Sequence, residues 1–217
     1  MRPSLFRRTA ALSLAGALVG WSFAGPRLPA GARMVLQAGM GAALVALTRA
    51  PLGLHPPRLW AGLRCGAAVA GCAAGAVAAT TLVPAVRESM AGREPPAPAP
   101  DWLLLLRIPV GTVWSEEAAF RAALTAAGSA AFGRRGAMLL QAIAFGLSHI
   151  ADARAIGEPL AGTVLVTAVG GWFFGWLTDR CGSLAAPLLA HLAVNEAGAI
   201  AVLAVRRRSG RNAAPRI

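Results

Sequence analysis

The sequence predicts an all-α, polytopic membrane bundle of about seven transmembrane helices, with its catalytic core in the last four. Three observations carry that reading. The residues AVILMFWYC make up 56% of the 217-residue chain, 25 glycines add to them, and charged residues are only 14%. The mean hydropathy is +0.58. That is more apolar surface than a soluble globule of this size hides, so the bilayer takes part of it. The 21 basic residues, all arginine, stand against 9 acids for a net charge of +12. They gather near the ends of apolar runs, as in Arg7-Arg8, Arg134-Arg135 and Arg206-Arg207-Arg208. Such placement fits anchoring on anionic headgroups. No basic stripe is interleaved with stacking aromatics, so the expected partners include the lipid bilayer but no nucleic acid. The 3 cysteines, Cys65, Cys72 and Cys181, are odd in number and form no CxxC, so neither a disulfide framework nor a zinc knuckle is indicated.

The elements follow in order. A basic stub (Arg2, Arg7, Arg8) leads an apolar run through about Ala24, read as a first span. The alternative is a cleaved signal ending at Ser22-Phe23-Ala24, which would leave six helices. Further runs cover about 33–48 and 59–86, the latter carrying Gly62, Gly66, Gly71 and Gly75 for close helix packing. Residues 1–86 thus form an N-terminal membrane unit. The stretch 87–101 is charged and then proline-rich, and reads as a linker that no helix traverses. Runs at about 102–127, 135–151, 159–178 and 184–205 supply the core, 102–205, and residues 206–217 form a basic tail.

Strongly polar groups inside a membrane span are costly and point to function. Three sets stand out: Ser115-Glu116-Glu117 with Arg121, Phe145 with His149, and His191 with Asn195. On an α-helix Glu117 and Arg121 share a face and can pair. Glu116 lies about 140° from Arg121 at about 100° per residue, and so reads as the free carboxylate. At about 1.5 Å per residue, Glu116, His149, His191 and Asn195 fall roughly 10–21 Å from one membrane face, in a single layer. They are expected around one cavity, opening towards the 128–134 and 179–183 loops, with Glu117 turned away from it.

A buried carboxylate beside a histidine suits the activation of water. A second histidine and an amide suit an oxyanion. The reaction class is amide hydrolysis. Glu116, His149 and His191 could instead hold zinc with an open position for water, and spacing does not separate the two. A metal-free site is the reading taken forward.

Glu-Glu-x-x-x-Arg at 116–121, Phe-x-x-x-His at 145–149 and His-x-x-x-Asn at 191–195 occur in the order and approximate spacing of the CPBP family. That family comprises type II CAAX prenyl proteases and bacteriocin-processing or immunity proteins. The chain resembles it over about 102–197, and Cys181–His191 resembles the lead-in to its last motif. The resemblance implies an intramembrane endopeptidase acting on a membrane-associated protein or peptide, as in CAAX-box protein maturation. It implies that Glu116 and His149 activate water, that His191 and Asn195 stabilise the oxyanion, and that Glu117 and Arg121 hold the site's shape, while Phe145 reads as packing on the pocket wall. It also implies a multi-pass protein of a bacterial plasma membrane. The alternative is a non-catalytic scaffold or immunity factor with the same fold.

Overall fold

The computed structural model describes residues 3–92 and 100–213, and among them every regular element is helical. Helix α1 (Pro3–Ala24) turns through a short 3-10 segment into α2 (Ala30–Thr48). Helix α3 (Arg58–Thr80) and the short α4 (Pro84–Gly92) follow. The chain re-enters at α5 (Pro100–Trp102), which runs without a break into wide π-type turns, Leu103–Trp114 and Glu117–Leu124. Helix α6 (Thr125–Ser148), the short α7 (Ile150–Ile156), α8 (Leu160–Cys181) and α9 (Ala185–Ala213) complete the chain.

Five segments are long and apolar enough to cross a bilayer: Ala30–Thr48, Arg58–Thr80, Pro100–Ile156, Leu160–Cys181 and Ala185–Arg208. The protein is a multi-pass helical membrane bundle. The difference from the expected seven lies in two places. Helix α1 has spanning length but carries Arg7 and Arg8. The 57 residues of Pro100–Ile156 would make a rod of about 85 Å, nearly three times the hydrocarbon thickness. The chain instead doubles back at Gly133, whose φ of 75° and ψ of 174° no helix contains. A Cβ on Gly128 of the incoming limb would lie 3.1 Å from that of Ala137 on the outgoing one. A straight helix would hold those two residues about 13.5 Å apart.

The expected linker differs at its start, since residues up to Gly92 are helical in α4; residues 93–99 lie outside the described set. The basic tail likewise continues α9 as far as Ala213. Helix α1 is part of the packed bundle: Ala15 and Leu18 are buried with Phe120, Leu124 and Phe145. Gly62 and Gly66 of α3 lie against Ser183 and Ala186 at the start of α9, where any side chain would collide. Gly71 and Gly75 face open space, so only half of that glycine series serves packing. The α8–α9 turn is closed by Leu184 N–H donating to the Leu52 carbonyl at 2.8 Å. The 50–54 segment therefore seals that end of the bundle.

Candidate active site

The wide helix is where the site begins. Pro109 has no N–H to donate, and turns closed five residues apart replace the usual four. Side chains serve several of the carbonyls there. Ser115 Oγ donates to Val110 O at 2.9 Å and Thr125 Oγ1 to Phe120 O at 3.0 Å. Gln37 Nε2, reaching across from α2, donates to Gly111 O. In such a helix residues five apart lie closer round the axis than on an α-helix. The separation of about 140° expected between Glu116 and Arg121 does not describe it. The two glutamates are distinguished by their partners instead.

Glu117 is fully buried, at 0% exposure. Its Oε1 accepts from His191 Nδ1–H at 2.8 Å, and its Oε2 lies 3.4 Å from Arg121 Nε. The sequence reading had given it Arg121 alone. Helical spacing relates residues within one helix, and the His191 bond joins positions 74 apart. Arg121, 2% exposed, forms no hydrogen bond through its guanidinium nitrogens. It lies instead 3.8 Å above the Phe145 ring and 5.4 Å from that of Phe174, so aromatic faces hold the charge that Glu117 only partly neutralises. The Phe145 ring also meets His149 edge-on at 4.7 Å and Phe120 at 5.3 Å. Phe145 is thus the hub that sets Arg121 and His149 relative to one another, a larger part than a pocket wall.

Both imidazoles have their tautomers set by the protein. His149 Nδ1 lies 2.8 Å from Phe145 O. A carbonyl only accepts, so the proton sits on Nδ1 and the neutral ring's Nε2 is a free lone pair. His191, stacked on Phe174 at 5.1 Å, has its Nδ1 proton on Glu117, and its Nε2 lies 3.8 Å from Glu116 Oε2. Asn195 Nδ2 donates to His191 O at 3.1 Å, one turn back, and keeps its second N–H.

Glu116, His149, His191 and Asn195 all line one cavity of about 560 Å³; Glu117, Arg121 and Phe145 lie behind its wall. The direction of that cavity corrects the sequence reading. It extends to Pro26, Leu28 and Ala30 at the α1–α2 corner and to Ala155 and Ile156 of α7. That end is opposite the Gly133 and Gly182 turns. The reason is the 50–54 plug: Ala50 and Leu184 are buried together with Leu52 and Leu54 packed on them, closing the end nearest His191. Sequence reasoning also missed Arg33, Gln37 and Arg107, which share the lining. Arg107 could have been found, since a lone cation after four leucines is as anomalous as Glu116. Asp152 lines the cavity too, though His149 Nδ1 is already held by Phe145 O.

Residues 98–197 match the family described as Type II CAAX prenyl endopeptidase Rce1-like. Over this stretch the chain is similar to the type II CAAX prenyl endopeptidases. No curated protein and no solved structure matches the chain. The matched block takes in the wide helix, the Gly133 hairpin, α8 and α9 as far as two residues beyond Asn195. Helix α2 and the turn that leads into it, which lie outside it, nevertheless form one side of its cavity. Among the described residues, no three His, Cys, Asp or Glu side chains are grouped so as to hold a metal ion.

Proposed function

We propose that this protein is a CPBP-type endopeptidase that hydrolyses a peptide bond of a membrane-associated protein or peptide, by water activated at Glu116 and His149 without a metal. The observation that carries the reading is the meeting of Glu116, His149, His191 and Asn195 on one cavity inside an apolar bundle.

The roles follow from the hydrogen bonds. Water between Glu116 and the bare Nε2 of His149 gives up a proton to this pair as its oxygen attacks the substrate carbonyl. The carbonyl oxygen becomes an oxyanion. It accepts from the spare Asn195 N–H and from His191 Nε2–H, the latter present when His191 is an imidazolium. Glu117 orients that ring, because its carboxylate holds the Nδ1 proton. The proton taken from water then passes to the leaving amine, and the peptide bond breaks. Arg121 and Phe145 fix Glu117 and His149 and touch no substrate.

The test is comparative membrane proteomics of wild type against Glu116→Gln. An amide takes no proton from water, so cleavage products present in wild type should vanish in the variant. Glu116 Oε2 has no hydrogen-bond partner to lose, so the melting temperature should stay close to that of wild type. Normal turnover by Glu116→Gln overturns the reading.

A further inference from the structure

Two arginines on the catalytic cavity have no part in the chemistry above. Arg33 comes from the first turn of α2 and Arg107 from the wide helix, and both line the cavity that holds Glu116. Among the described residues neither is paired with a carboxylate; the ion pairs belong to Arg121, Arg134 and His191. Arg33 is half-buried and held in place, its Nε on Gln37 Oε1 at 3.3 Å, which leaves both of its terminal nitrogens to donate elsewhere. Arg107 follows Leu103 to Leu106 and precedes Ile108. A cation there is costly unless an anion or water meets it. Arg107 also borders a second, largely apolar cavity of about 710 Å³ between α4, the wide helix and α9, which shares Thr112 and Asn195 with the first. It therefore stands where an apolar groove joins the site of hydrolysis.

We infer that Arg33 and Arg107 form an anion subsite that binds a carboxylate of the peptide substrate. The inference rests on the peptidase reading and deepens it. Glu116 and Asp152 line the same cavity and repel an incoming carboxylate. Cations on the adjoining α2 and wide-helix walls draw that group aside and leave the neutral peptide bond for Glu116. Guanidinium forks suit a carboxylate geometrically, through paired N–H donors. The carboxylate has two sources, the C-terminus of the substrate or an acidic side chain.

Binding separates this inference from catalysis. The full chain carrying Glu116→Gln is placed in phosphatidylcholine nanodiscs and titrated with three dansyl-labelled apolar octapeptides. One is a free acid, one a C-terminal amide, and one an amide with an internal glutamate. The free acid should bind about tenfold tighter than the plain amide, a modest return for a charge-assisted pair. Added Arg107→Gln or Arg33→Gln should bring that ratio near one, and Arg107→Lys, which keeps the charge, should retain most of it. A glutamate peptide that equals the free acid assigns the subsite to side chains; one that binds like the plain amide assigns it to the C-terminus. Equal binding of all three peptides, or a preference untouched by both arginine variants, overturns the subsite. Loss of the preference in phosphatidylglycerol nanodiscs overturns it as well, by giving the arginines to lipid phosphate. A preference that stands while the enzyme with Glu116 intact cleaves nothing would leave the subsite and remove the peptidase reading.

Discussion

Replacing Glu117 with glutamine separates charge from hydrogen bonding in the centre of the bundle. The amide oxygen still accepts from His191 Nδ1–H, so that contact survives in form. What disappears is the carboxylate ion-paired with Arg121, which is 2% exposed and whose guanidinium nitrogens have no hydrogen-bond partner. Breaking a buried pair from one side costs about 3–5 kcal/mol. Arg121 keeps its seat 3.8 Å above Phe145, and such a desolvated contact is worth about 2 kcal/mol. The cost should therefore fall at about 3 kcal/mol, a drop of roughly 6–12 °C in melting temperature for a chain of this size. Adding Arg121→Met removes the stranded charge and should recover at least half of the loss. Thermal unfolding in one detergent, followed by tryptophan fluorescence, measures both variants. A Glu117→Gln protein that melts with wild type, or a double variant no better than the single, would refute the account of Arg121 as a charge held by Glu117 and aromatic faces. Turnover of Glu117→Gln should also fall, because a neutral amide holds the His191 Nδ1 proton less strongly than a carboxylate does.

Three further outcomes follow from other parts of the fold. Exhaustive chelation should leave proteolysis intact and elemental analysis should find no stoichiometric zinc; activity that dies with zinc removal and returns with zinc would end the metal-free mechanism. Gly66→Val would drive a side chain into the Ala186 carbonyl, 2.8 Å from the position of the new Cβ, and should destabilise by about 1–3 kcal/mol. Gly71→Ala in the same helix meets nothing within 4 Å, and equal melting losses for the two would contradict the α3–α9 packing. Gln37→Leu strands the Gly111 carbonyl and releases Arg33, at about 1–3 kcal/mol; unchanged stability with unchanged activity would show that α2 does not brace the wide helix.

The fold class was legible because hydropathy is a sum over the whole chain, insensitive to any one residue. The candidate site was legible for a different reason. Glu116, His149, His191 and Asn195 each violate the apolar rule of their segment, and their depths follow from rise per residue alone. Spacing failed where the backbone is not α-helical. The arrangement around Arg121 was drawn on 3.6-residue turns, and the wide turns of 103–124 depend on Pro109 and on donors from elsewhere in the fold. Contacts between helices, such as Glu117 with His191 or Gln37 with Gly111, leave no periodic trace. The sealed end of the bundle was missed likewise, since residues 50–54 look like an ordinary Pro/Gly loop until Leu52 meets Leu184.

The bond from Gln37 to the Gly111 carbonyl has a consequence for how the chain could be divided. The segment that matches the CPBP family starts at residue 98, yet its first helix is completed by an amide borrowed from outside it. Recognition by motif and independence as a folding unit are then different properties with different boundaries. A core excised at residue 98 would present an unserved carbonyl and an open cavity wall to lipid. A chimera that grafts foreign helices onto this core should work only where the graft carries a side-chain donor at the height of Gln37.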